Sequence, residues 1–214
     1  MNIRTTLMFT LLFITSATIA SASSITYTFQ GTGTGDLGGV SFVSTLFTIT
    51  VEGDTGNVEY LGNGVFSNPA LSSHIAIQGF QPASFITATR VFDAGVVNKH
   101  FVDTLGFSRA PNAADLLDLP NAAFLSYDLA TSIGPIFVAE PNTYGFGCFS
   151  FGDCVVTTGG MLDFSSIIGV TFSAETTTPE PGTLVLVGAG CLVMTRSVRA
   201  RRKHPPTTTT RGVA

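Results

Sequence analysis

ITYTFQ, residues 25–30, alternates apolar and polar side chains and places Ile25, Tyr27 and Phe29 on one face of an extended strand. FTITV, residues 47–51, alternates in the same way. A period of two residues is typical of a strand with one buried and one solvated face. The two stretches therefore predict neighbouring strands whose apolar faces point into one core.

The residues between these stretches change phase. Val40 and Phe42 occupy even positions, whereas the apolar face that begins at Phe47 occupies odd positions. A one-residue change of phase exchanges the two faces of a strand, unless an extra residue is accommodated in a bulge. We therefore expect a kink or bulge near Ser44 and Thr45.

The same analysis extends to residue 174. Runs rich in β-branched and aromatic residues predict further strands at HIAIQGF (74–80), SFITATRVF (84–92), AFLSYDL (123–129) and IIGVTFSA (167–174). Gly, Asn and Pro predict turns or loops at GTGTGDLGG (31–39), EGDTGN (52–57), GNG (62–64), SNP (67–69) and TTGG (157–160). One stretch, NAADLLDL (112–119), predicts one or two helical turns. The expected fold class is all-β, an antiparallel β-sandwich, with a jelly roll or partly open barrel as the alternative.

Charge is distributed unevenly along the chain. The whole sequence has a formal net charge of −4, but residues 23–178 contain 13 acidic and 3 basic side chains, a formal charge of −10. Proteins that bind nucleic acid need clustered basic side chains to neutralise phosphates. The acidic central region therefore excludes nucleic acid as an expected partner. Hydrophobic residues make up 44% of the sequence, which also excludes a disordered chain.

The first 22 residues have the three parts of a secretory signal peptide. One positive charge, Arg4, precedes an apolar run over residues 7–14, and small residues follow at Ala20 and Ala22. Small side chains at these positions suit signal peptidase, so we expect cleavage after Ala22. Export places the following region in an oxidising compartment.

The C-terminal region has a short apolar stretch, residues 183–195, followed by a basic cluster. As a helix, 13 residues extend about 20 Å, which is shorter than the roughly 30 Å hydrocarbon core of a bilayer. The basic side chains favour the cytoplasmic side, so the domain before them is expected outside the cytoplasmic membrane. The cluster consists of Arg196, Arg199, Arg201, Arg202 and Lys203.

These features divide the chain into five predicted segments. They are a signal peptide (1–22), an exported β-sandwich domain (23–174), a linker (175–182), a short hydrophobic helix (183–195) and a basic cytoplasmic tail (196–214). The linker is stiffened by its prolines. The helix is expected to hold the chain in the cytoplasmic membrane with the domain outside the cytoplasm.

Pro179, Glu180 and Pro181, followed by the apolar stretch and the basic cluster, resemble the PEP-CTERM sorting signal of Gram-negative bacteria that make extracellular polysaccharide. The resemblance covers about 25 residues. It implies that the tripeptide is recognised by exosortase, a membrane enzyme, and that the tail is removed near it. It further implies that, before cleavage, the precursor is held in the inner membrane with the domain facing the periplasm, and that the processed protein is delivered to the cell surface or extracellular matrix. The alternative is a simple tail anchor with an incidental Pro-Glu-Pro.

Cys148 and Cys154 enclose a loop short enough for one bridge, so a disulfide is the favoured interpretation in an oxidising compartment, with free thiols as the alternative. His74 and His100 lack motif spacing to these cysteines, and no metal site is expected. Cys191 is interpreted as a small packing residue of the apolar tail.

The sequence contains few candidates for catalysis. Gly33, Gly35 and Gly38 match the dinucleotide-binding spacing, but the β-branched residues that follow predict a hairpin rather than the helix that such a site needs. His74 is interpreted as an ordinary strand residue. His100 next to Asp103 does not establish a triad, which depends on geometry.

The carboxylates group into two sets. Glu52, Asp54 and Glu59 surround one predicted turn, and Asp115 and Asp118 lie in the predicted helical turn. Neither set has the spacing of a calcium loop, so both are interpreted as solvated turn ends.

We therefore expect a non-enzymatic exported protein without a cofactor, with exosortase as its processing partner and exopolysaccharide as a further candidate partner. The alternative is a carbohydrate-binding module, which needs an exposed groove and stacking aromatics such as Tyr60, Tyr127 or Tyr144. A secreted glycosidase is a third hypothesis, and it needs two carboxylates in a cleft.

Overall fold

The computed structural model describes residues 23–62, 64–95, 103–110, 115–141 and 155–177. Two short 3-10 turns lie in this part of the chain, at Thr55–Asn57 and Ala122–Phe124. The strands of the described residues, numbered in chain order, are β1 Ser24–Leu37, β2 Val40–Asp54, β3 Glu59–Gly62, β4 Val65–Pro69, β5 Ser72–Ile77, β6 Ala83–Ser84, β7 Thr89–Ala94, β8 Thr104–Arg109, β9 Asp115–Pro120, β10 Ile133–Val138, β11 Val155–Thr157 and β12 Gly160–Thr177.

Within the described residues, these strands form two antiparallel sheets. The larger sheet has the order β10-β12-β1-β2-β5-β6, with β11 also paired to β12, and the smaller sheet has the order β3-β4-β7-β8-β9. The rings of Phe29 in the larger sheet and Phe107 in the smaller one are 6.0 Å apart, so the sheets meet face to face. The all-β sandwich predicted from the sequence is confirmed.

The alternation in β1 and β2 determines which face of the larger sheet is buried. Ile25, Tyr27 and Phe29 are fully buried, whereas the residues between them are partly exposed. The odd-numbered residues of β2 from Phe47 to Val51 are buried in the same way. Burying a side chain of this size contributes about 1.5–3 kcal/mol, so the two strands supply a large part of the core.

The predicted bulge is confirmed at Ser44. Gly33 pairs with Thr45 but Gly35 pairs with Phe42, so β2 has one extra residue opposite β1 at this point. Ser44 has a φ of 47°, in the left-handed region. The bulge restores the phase of the strand, because Phe42 is buried on the core side although it lies out of phase with Phe47.

The predicted loop over residues 31–39 is wrong for most of its length, since β1 continues through Leu37 and only Gly38 and Gly39 form the turn. The glycines of the strand leave space for aromatic rings. A Cβ at Gly33 would lie 2.7 Å from Cε1 of Phe164, which is closer than real Cβ contacts. The glycine-rich sequence therefore reflects core packing rather than flexibility.

β12 pairs with the whole length of β1, from Leu37 opposite Leu162 to Ser24 opposite Thr177. The sequence analysis assigned residues 175–177 to the linker, whereas the structure includes them in β12. The first residue of β1 is therefore paired with the last residue of β12. This pair brings the segment after the predicted signal peptide next to the end of the last described strand.

The predicted strand at 84–92 is divided between the two sheets. β6 pairs with β5 in the larger sheet, and β7 pairs with β4 and β8 in the smaller sheet. The chain crosses from one sheet to the other between them, so one apolar run serves two sheets. The predicted strand at 74–80 exists but ends at Ile77, because Gln78 and Gly79 form a turn.

Three local predictions are wrong. Asp115–Pro120 of the predicted helical stretch is the strand β9, whose residues Leu116 to Leu119 are buried on both faces. AFLSYDL (123–129) is not a strand, because a 3-10 turn brings Phe124 and Tyr127 against Phe172. The SNP sequence lies in β4 rather than in a turn.

Candidate functional site

A polar cluster is buried between the sheets. The hydroxyl of Tyr27 accepts a hydrogen bond of 2.7 Å from Nδ2 of Asn68 and donates one of 2.5 Å to the carbonyl oxygen of Leu129. Asn68 lies diagonally next to Asp93 across the β4–β7 pair. Asp103 precedes Thr104, which pairs with Ala94 of β7. The cluster therefore includes two carboxylates on the core side of the smaller sheet.

The carboxylates of this cluster are shielded from solvent. Asp93 and Asp103 are 3% and 4% exposed, and Oδ1 of each accepts no hydrogen bond from the described residues. Burial and, to a smaller extent, the negative charge of Asp103 raise the pKa of Asp93 to about 7. Burial also raises the pKa of Tyr127 above its ordinary value, with smaller contributions from Tyr27, Asp128 and Asp93. The cluster therefore favours a protonated Asp93 at acidic pH.

Replacing Tyr27 with Phe is expected to destabilise the fold by about 1–3 kcal/mol, because the Asn68 amide and the Leu129 carbonyl would lose a buried partner. The measurement is the free energy of unfolding in urea. Tyr60→Phe is the matched control. Its hydroxyl accepts a bond from the amide of Gly64, but the side chain is 62% exposed. Equal losses in both variants would contradict the role assigned to the buried hydroxyl.

A second carboxylate environment lies on the opposite face of the smaller sheet. Asp118 is only 4% exposed, so its interpretation as a solvated turn end is wrong, and burial raises its pKa to about 7, with Asp115 acting in the same direction. Oδ1 of Asp118 lies close to Gly106, where a Cβ would be 2.8 Å away. Burial also raises the pKa of Asp115, opposed by the charge of Arg90. These two carboxylates belong to the packed sheet.

The other described candidates, Glu52, Asp54, Glu59 and His74, are exposed or partly exposed. Glu52 accepts a bond of 2.8 Å from the hydroxyl of Ser72, and Asp54 accepts one from the amide of Gly56 at the start of the 3-10 turn. His74 is exposed on β5 and its ring is hydrogen-bonded to Ser84. In the described part of the chain, no three His, Cys, Asp or Glu side chains come together as metal ligands.

An open groove of about 420 Å³ lies at the edge of the larger sheet, between β10 and β12. It forms where the pairing of the two strands shifts register between Ile133 and Ile136. Gly134, with a φ of 91°, and Pro135 occupy this interruption. The described residues that line the groove are Ser132, Ile133, Gly134, Pro135, Ser173, Ala174 and Glu175.

Phe137 lies on the same edge strand and is 64% exposed. It pairs with Thr171 of β12 on the outer face of the sheet. The ring lies against Gly169, because a Cβ at Gly169 would be 3.0 Å from Cε2 of the ring. This glycine has a φ of 61°, so the backbone disfavours any larger residue under the ring. The exposed aromatic ring and the groove form the candidate binding site of the described domain.

The sequence analysis did not identify Phe137. An aromatic ring in an apolar run such as PIFV (135–138) is typical of a buried strand, and nothing in this run indicates that the ring lies against Gly169 of the neighbouring strand β12. Of the tyrosines that were considered, Tyr60 is exposed but packs on Phe66, and Tyr127 is buried at 4% exposure. Tyr127 is therefore wrong as a stacking platform, because no ligand can reach its ring.

Several predicted positions lie outside the described residues. They are Ala20, Ala22, His100, Tyr144, Cys148, Cys154, the tripeptide Pro179, Glu180 and Pro181, the hydrophobic helix at 183–195 and the basic cluster. The disulfide, the cleavage sites and the membrane helix stay predictions. Among the residues that are described, none belongs to a helix with the length and apolarity needed to span a bilayer.

Comparison with known proteins gives one match. Residues 177–203 match the family profile described as the PEP-CTERM protein-sorting motif. The match begins at the last residue of β12 and includes the tripeptide, the apolar stretch and the basic cluster. Neither the curated proteins nor the solved structures include a match to the chain. The chain therefore carries a PEP-CTERM sorting motif, which marks it as an exported protein sorted by exosortase.

Proposed function

We propose that this chain is a non-enzymatic protein of the cell surface or extracellular matrix, delivered by its C-terminal sorting motif and processed by exosortase. The observation that carries the proposal is the match of residues 177–203 to the sorting motif, directly after the last strand of the domain. The signal peptide predicted at residues 1–22 agrees with export. The excess of acidic side chains in residues 23–178, 13 against 3 basic ones, is typical of a soluble exported domain.

The arrangement of carboxylates supports a role without catalysis. Hydrolysis of a glycosidic bond needs two carboxylates on either side of a substrate. Asp93, Asp103 and Asp118 are each at most 4% exposed, so a polysaccharide cannot reach them in the folded domain. Among the described residues that line the open groove, Glu175 is the one carboxylate. A screen for hydrolysis of polysaccharides by the purified chain tests this part of the proposal, and measurable turnover would contradict it.

The sorting role makes a prediction for processing. Combined replacement of Pro179, Glu180 and Pro181 with Ala is expected to reduce the processed form at least about tenfold, because the enzyme loses its recognition motif. The unprocessed precursor should then accumulate in the membrane fraction. Mass spectrometry of the C-terminus and cell fractionation measure both effects, with and without the exosortase gene.

The matched control is combined Pro205→Ala and Pro206→Ala, which changes two prolines beyond residue 203 and outside the matched motif. This control should be processed like the wild type. Surface material from wild-type cells that still contains residues 196–203 would overturn the sorting role and favour a permanent anchor.

A further inference from the structure

The outer face of the larger sheet has an exposed ring next to a polar surface. Phe137 pairs with Thr171, which pairs with Gln30, which in turn pairs with Thr48, so the four side chains form one row across four strands. Neighbouring strands are about 4.8 Å apart, which makes this row roughly 14 Å long. Thr and Gln side chains both donate and accept hydrogen bonds. The row therefore begins with an apolar surface and continues with polar groups.

A second polar row runs alongside the first. Ser173 pairs with Thr28, which pairs with Thr50, and Thr50 pairs with His74 of β5. Thr28, Thr50 and Ser173 are each partly exposed. Ser173 also lines the groove between β10 and β12. The two rows and the groove are thus parts of one continuous surface.

The groove adds a concave surface and one carboxylate to this face of the sheet. Its lining includes the apolar ring of Pro135 and the carboxylate of Glu175, which is exposed at the end of β12. Glu175 is opposite Thr26 in the adjacent strand. A binding site of this type combines apolar contact area with a few polar groups that orient the ligand.

We infer that this surface, consisting of Phe137, the two polar rows and the groove, binds a neutral polysaccharide. The exposed face of the Phe137 ring can stack on the C–H face of a sugar ring, and the hydroxyl and amide side chains can bond its hydroxyl groups. The formal charge of −10 over residues 23–178 repels polyanions, which favours a neutral glycan over an acidic one. The inference deepens the proposed function by naming the kind of matrix partner, and it rests on export for its biological setting.

Affinity electrophoresis of the full chain in mild detergent tests this inference. The gels contain hydroxyethylcellulose, laminarin, dextran or galactomannan as neutral probes, and alginate as the acidic probe. We expect at least one neutral polysaccharide to retard the wild-type chain and alginate not to do so. Phe137→Ala should weaken retardation about tenfold, and Phe137→Tyr should retain it because a phenol ring also stacks.

Leu125→Ala is the matched control, since Leu125 is also exposed, at 66%, but lies in the turn after the Ala122–Phe124 segment. It should bind like the wild type, and thermal unfolding should show that each variant is folded. The inference is overturned if no neutral polysaccharide retards the chain, if alginate is the preferred ligand, or if Phe137→Ala binds normally. It is also overturned if light scattering shows that the surface pairs two copies of the chain and Phe137→Ala separates them.

This outcome is independent of the processing experiment. A chain that is processed and reaches the surface but binds no neutral glycan removes the inference and leaves the proposed function intact. A chain that binds a glycan through Phe137 but is never processed supports the inference and contradicts the proposed sorting role.

Discussion

Phe172→Ala is expected to lower the free energy of unfolding by about 3–5 kcal/mol, a large part of the stability of a typical domain. Phe172 is fully buried and its ring contacts four other aromatic rings. The centroid distances are 5.0 Å to Phe29, 5.7 Å to Phe124, 6.1 Å to Tyr127 and 6.4 Å to Tyr27. Truncation removes the buried ring and leaves a cavity that these neighbours can only partly fill.

The measurement is urea unfolding followed by circular dichroism. Phe137→Ala is the matched control, because Phe137 lies on the neighbouring strand but is 64% exposed. It should cost less than about 1 kcal/mol, since little apolar surface is buried there. Similar losses in the two variants would mean that the core is not centred on Phe172.

Asp93→Asn is expected to stabilise the protein by about 2–4 kcal/mol at pH 8 and to change its stability little at pH 4. Burial and the charge of Asp103 raise the pKa of Asp93 to about 7 in the folded state, whereas an unfolded Asp has a pKa of about 3.9. The folded state therefore holds the proton more tightly, and the contribution of Asp93 to stability is present below about pH 4 and is lost as pH rises to about 7. Asn is neutral throughout this range.

The measurement is the difference in the free energy of unfolding between the variant and the wild type at several pH values. Glu59→Gln is the control, because Glu59 is exposed on β3 and the same change of charge should have little effect there. A difference between Asp93→Asn and the wild type that stays constant from pH 4 to pH 8 contradicts the raised pKa.

The sandwich could be predicted because its central strands follow a simple rule. Ile25, Tyr27 and Phe29 are buried on one face of β1, and partly exposed polar residues occupy the other, so a period of two appears directly in the sequence. The phase change before Phe47 indicated the bulge for the same reason. In a strand with one solvated face, the alternation of apolar and polar residues indicates which face is buried.

The smaller sheet could not be predicted as well, because its strands lack that contrast. Leu116 to Leu119 of β9 are all buried, and a short run buried on both faces resembles a helix as much as a strand. The Ala and Leu residues of NAADLLDL are also good helix formers, so tertiary packing overrode local propensity. The crossing of the chain between β6 and β7 depends on contacts that no local pattern encodes.

The functional features also differ in how well the sequence predicts them. The sorting motif is a continuous sequence pattern, and its recognition did not need a fold. The groove and its aromatic platform needed one, because they depend on Gly169 under Phe137 and on the register shift before Ile136. The burial of the carboxylates could not be predicted either, because the residues next to Asp93 in the sequence do not indicate that its side chain is buried.

The pairing of Ser24 with Thr177 has a consequence for maturation. If the leader is removed after Ala22 and the tail is cut near Pro179, the mature protein acquires a new ammonium group one residue before β1 and a new carboxylate a few residues after β12. Opposite charges attract each other, so the two cuts would favour the pairing of Ser24 with Thr177. Cleavage on both sides of the domain would then help to keep the ends of β1 and β12 paired.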